Sequence, residues 1–151
     1  MLDIINDFDI FCAYLEEKKP KLTRAREELG KKDCYAINAL LSKPRELDGP
    51  KYLQPVYLTI NLFFHIIMAT GLFVREAKRN GEGYLVPSSK LERFRALNSY
   101  TKYMFLFRTY WRYLILMFRQ QGRWLSGVRG KLPNSIRTMR MILSADSKKS
   151  A

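Results

Sequence analysis

A chain of 151 residues has the length of one domain and can bury one proper core. With 47% apolar and 13% aromatic residues, it is too hydrophobic for wholesale disorder. The net charge of +13 is uneven: residues 1–92 carry 14 Lys/Arg against 13 Asp/Glu, while residues 93–151 carry 13 against Asp146 alone.

The acidic start, residues 1–7, has no basic n-region or apolar core, so no signal peptide is expected. Phe8, Phe11, Cys12 and Leu15 then fall at i, i+3, i+4 and i+7, the single stripe of an amphipathic helix. Asn6 or Asp7 is placed to cap it, Lys18 and Lys19 suit its negative end, and Pro20 stops it. A short second helix is expected after Gly30, with Cys34, Ile37, Leu40 and Leu41 inward. Pro44, Asp48, Gly49 and Pro50 mark residues 42–51 as a surface loop.

Gln54-Pro55 opens a third helix, with Pro at its first position and Gly71 just past its end. Leu58, Leu62 and Ile66 line one side of it; Ile60, Phe63, Phe64 and Ile67 cover most of the rest. A helix apolar nearly all round belongs in a core or a membrane, and the uncharged run 54–74 is long enough to span one. The core is the preferred reading, because Asn61 and His65 are costly in lipid and a hairpin follows at once. In that hairpin two β-favouring runs, 72–77 and 84–86, flank a turn at 78–83 containing Asn80-Gly81.

Ser89-Lys90-Leu91-Glu92 reads as a capping box, starting a helix with Leu91, Phe94 and Leu97 inward. Asn98-Ser99 caps a last long helix, expected over 100–121 and ending at Gly122. Thr101, Arg108, Arg112 and Arg119 form one polar stripe on it, surrounded by Tyr103, Met104, Phe105, Leu106, Phe107, Tyr110, Trp111, Leu114, Ile115, Met117 and Phe118. So wide an apolar arc must be covered by the domain, a partner protein or lipid; the arginines break it too often for an ordinary spanning helix. A short basic helix is expected over 136–143, before a frayed end.

Lys21-Leu22-Thr23, the run Leu62-Phe63-Phe64-His65 leading to Gly71-Leu72-Phe73, residues 84–94, and Lys102-Tyr103-Met104-Phe105-Leu106-Phe107 before Tyr110-Trp111 carry a resemblance. They resemble the winged-helix-like module of bacterial proteins related to the plasmid "open reading frame three"-like family, over residues 5–111. The resemblance implies a fold and no catalytic residues, since the family has no established activity. It stops near Arg112. Residues 112–151 therefore have two readings: a native basic extension, or a truncated or frame-shifted remnant whose charge is accidental.

Enzyme chemistry is not expected. His65, the only histidine, sits in the most apolar helix, and no P-loop, GxGxxG, HExxH or GxSxG occurs. Cys12 and Cys34 have neither CxxC spacing nor clustered histidines. They read as buried free thiols of a reducing, cytoplasmic compartment, and neither metal nor cofactor is expected.

The fold expected is mainly α: a winged-helix-like helical domain with one β-hairpin at residues 1–111, and a basic, partly helical C-terminal extension at 112–151. The charge asymmetry points to nucleic acid or another polyanion. Base-specific reading is not expected, because the helix before the wing offers only Thr59, Asn61, His65 and Thr70. The candidate backbone contacts are Lys78, Arg79 and Asn80 at the wing tip, with Arg108, Arg112, Arg119 and Arg123 beyond, interleaved with aromatics that can stack. The alternative is a protein or membrane-surface contact through the aromatic helix.

Overall fold

The computed structural model describes residues 2–77 and 82–127, with side chains for 3–77 and 82–115. The chain divides into Met1–Tyr113 and Leu114–Ala151. The described residues form a mainly α fold with one two-stranded antiparallel hairpin. Its elements are α1 (Leu2–Lys18), α2 (Lys31–Leu40), a 3-10 turn (Gln54–Val56), α3 (Leu58–Thr70), β1 (Phe73–Ala77), β2 (Gly83–Pro87), α4 (Ser89–Arg95) and α5 (Ser99–Gly127). None of these helices is long and apolar enough to cross a membrane.

The stripe Phe8, Phe11, Cys12, Leu15 is buried as its spacing predicts. Lys19 closes α1 in the left-handed region at φ 44°, ahead of Pro20. The helix begins earlier than expected, at Leu2, so Asp7 is not its cap. Asp7 is buried and accepts hydrogen bonds from the Ser42 backbone N–H and hydroxyl, both at 2.8 Å. An Asp has the same acceptor oxygens for a distant loop as for its own helix end, and here the distant donors win.

In α2, Cys34 and Ile37 point inward, with Leu41 just past the end, but Leu40 is exposed. Asn38 takes the inward place, exchanging hydrogen bonds with the Arg45 backbone at 2.9 and 3.0 Å and so fixing the loop behind it. Pro55 opens a 3-10 turn rather than α3 itself. Tyr57 after it is buried, which leaves Leu58 outside; Ile60, Phe63, Phe64, Ile66 and Ile67 enter the core. Gly71 ends α3 at φ 69°, a conformation that would strain a residue with a Cβ.

The hairpin pairs Phe73 with Pro87 and Ala77 with Gly83; its expected turn lies mainly in residues outside the described ones. Ser88, not Ser89, caps α4. Its hydroxyl accepts from Lys90 N–H at 3.2 Å and donates to the Gly71 carbonyl at 2.6 Å, tying the start of α4 to the end of α3. Because α4 ends at Arg95, Leu97 lies beyond it and is exposed. Asn98 caps α5 as expected, accepting from Thr101 N–H at 2.9 Å. The helix passes through Gly122 to Gly127, a mid-helix glycine costing only about 1 kcal/mol. The short helix expected at 136–143 lies outside the described residues.

Phe8 is the hinge of the core. Its ring meets Phe63 edge-on at 5.1 Å and Phe94 at 5.4 Å, joining α1, α3 and α4. Gln54, also buried, accepts from the Leu29 N–H at 2.8 Å and donates to Asn61 at 3.1 Å, which fixes the turn before α3. The Tyr57 hydroxyl is buried without a hydrogen-bond partner among the described residues. An unpaired buried hydroxyl costs free energy, so Tyr57→Phe is expected to raise stability by about 1 kcal/mol in urea unfolding; a loss of that size would reveal a partner.

Candidate interaction surface

Residues three and four apart share a face of helix α5, and its inward and outward faces differ. Inward, Lys102 pairs with Asp9 at 2.9 Å and lies 5.4 Å from the centre of the Phe94 ring. Phe105 packs on Phe94 at 5.2 Å, Leu106 is buried, and Tyr113 stacks on His65 at 4.9 Å with ring planes 23° apart. Outward stand Tyr100, Met104, Phe107 and Trp111, exposed by 66, 42, 49 and 57%. Tyr103, Phe107 and Trp111, each four residues from the next, form a ladder of nearly parallel rings at 6.3 Å steps.

Beside the ladder runs an apolar groove of about 290 Å3 between α1, α3 and α5. Ile4, Leu62, Phe63 and Ile66 form one wall, and Tyr103, Leu106, Phe107 and Tyr110 the other. Leu62 and Ile66 one turn apart on α3 were a legible signal for that wall. Ile4 was missed, because α1 was expected to start after it.

The basic side chains of this region divide sharply. Arg108 and Arg112 are exposed, and no carboxylate among the described residues pairs with either. Arg95 and Lys102 are committed inside the fold. Arg95 holds Glu16 at 2.6 Å and Glu92 at 3.0 Å; its hydrogen bond pulls the Glu16 carboxyl below its usual range, and the same bond raises the guanidinium. Arg119 and Arg123 belong to α5 by backbone, with side chains outside the described residues. Lys78, Arg79 and Asn80 lie outside them altogether.

Of the polar side chains on α3, Thr59 alone is exposed. Asn61 accepts from Gln54, Thr70 bonds the Ile66 carbonyl at 2.7 Å, and His65 is covered by Tyr113. Burial lowers the His65 pKa from its ordinary value. The unfolded chain binds the proton more readily, so stability is full above the unfolded pKa near 6.5 and falls as pH drops toward the lower folded value. Unfolding free energy measured from pH 7.5 to 5 should show this decline, and His65→Phe should flatten that part of it. An unchanged profile in the variant would remove His65 as its source.

Cys12 and Cys34 are free and buried, and burial pushes both thiols up to about 12, far from a reactive thiolate. Among the described residues no group of His, Cys, Asp and Glu could hold a metal ion. No known family, curated protein or solved structure matches the chain.

Proposed function

We propose that this chain is a non-enzymatic binding module whose contact surface is the outward face of α5, and that a protein is its partner. The single observation carrying this reading is the ring ladder opening onto the apolar groove. Exposed apolar surface that is continuous, rather than scattered, marks a place where another surface settles. Arg108 and Arg112, on the flank of the ladder opposite the groove, favour an acidic partner. The order of helices around the hairpin supports a winged-helix-like module, and the two buried free thiols support a cytoplasmic setting.

Nucleic-acid backbone is the second reading. Arginines interleaved with Trp111 favour it, since guanidinium groups neutralise phosphates while indole stacks on bases. The internal pairing of Arg95 and Lys102 weakens it, and the largest outward side chains are apolar.

A photo-crosslinking amino acid at Met104, with Lys51 as the control position, separates these readings in cells. The proposed reading expects protein adducts from position 104 and none from 51. Adducts destroyed by nuclease would favour the second reading. No adduct from 104 would overturn both.

A further inference from the structure

The shape of this surface narrows the partner further. Tyr100, Met104, Phe107 and Trp111 are spaced four, three and four residues apart, the seam along which one helix meets another. The neighbouring groove, about 290 Å3, lies at the bottom of the range for small-molecule pockets and suits a bulky apolar side chain. A concave slot beside a helical seam is the geometry of helix-in-groove recognition.

Charge then selects among helices. By helical register Arg108 and Arg112 flank the seam on the side away from the groove; both are exposed, and no carboxylate among the described residues pairs with them. A second copy docked through the same face would set Arg108 and Arg112 against their own counterparts; like charges across a contact disfavour it. A flat bilayer would meet the ridge but leave the groove unfilled. We propose that the groove and seam together dock an acidic amphipathic helix of a partner protein. One bulky apolar side chain enters the groove on one side of the seam, and carboxylates on the docked helix's opposite flank meet Arg108 and Arg112 on the other. This rests on the reading of α5 as the contact surface.

Fluorescence anisotropy of two synthetic helices tests it on the full chain. Both peptides carry apolar residues at i, i+3, i+4 and i+7; one has glutamate flanks and the other lysine flanks. The acidic peptide should bind and the basic one should not. Phe107→Ala should weaken the acidic peptide about tenfold or more, and R108E/R112E should reverse the preference; thermal melts confirm that both exposed-site variants are folded. Equal binding of the two peptides, or acidic-peptide binding unchanged by Phe107→Ala, overturns the proposal. Phosphatidylglycerol vesicles and single-stranded DNA are titrated in parallel. If either binds in a Phe107-dependent way while neither peptide does, the acidic helix is overturned and the contact surface survives. If no probe depends on Phe107, both fall.

Discussion

Phe8→Ala is expected to cost about 3–5 kcal/mol of unfolding free energy, enough to leave a domain of ordinary stability near its threshold. Phe8 is fully buried and makes edge contacts with Phe63 and Phe94, with Phe11 tilted beside it at 6.4 Å. Each such aromatic pair adds about 0.5–1.5 kcal/mol beyond its burial. The void left by the ring lies between three helices, each pinned elsewhere: α1 by Asp7 to Ser42, α3 by Gln54, and α4 by Ser88 to Gly71. Collapse onto it is therefore poor, and the cavity penalty stays. Urea unfolding followed by circular dichroism gives the number. A loss below about 1.5 kcal/mol would mean that the three helices repack freely, contrary to the fold described.

The second large effect falls on contact rather than stability. Phe107 and Trp111 are about half exposed, so replacing both by alanine should move unfolding free energy by only about 0.5–1 kcal/mol, the stacked pair included. Binding should fall by about a hundredfold, because aromatic anchors of this kind dominate contact energy. Cross-linking from position 104 and binding of the acidic helix should decline together. The pairing of near-native melting with lost contact separates a binding face from a structural one. A double variant that binds unchanged would remove the ladder from the contact surface.

Local features were the most legible in the sequence. The spacing of Phe8, Phe11, Cys12 and Leu15 fixed the inner face of α1, Gly71 marked the end of α3, and Asn98 the start of α5. Each depends on residues within one or two turns. What escaped was long-range. Nothing near Asp7 announces Ser42, and nothing near Arg95 or Lys102 announces Glu16 or Asp9. Those pairs make internal ties of two of the 13 basic side chains in residues 93–151, so counting charge along the C-terminal third overstated what is open to a polyanion.

The candidate surface was half legible. The broad apolar arc of α5 required a cover of some kind, and its arginine stripe was plain in the spacing of Arg108 and Arg112. Which part of the arc the domain itself covers was not readable, because it depends on where Phe94, His65 and Asp9 arrive from other helices. They claim the face of Lys102, Phe105 and Tyr113, and leave Tyr100, Met104, Phe107 and Trp111 outside. Of the predicted sites, Arg108 and Arg112 alone have described side chains, and both stand beside that face.

The central claim is that this face is open in the free chain and closes on a partner. Emission of Trp111, isolated by a Trp124→Phe substitution, tests it most directly through acrylamide quenching. The free chain should give red-shifted, readily quenched emission, with a blue shift and protection when the acidic helix is added. Blue-shifted, shielded emission before any partner is present would contradict it, because the face would already be covered.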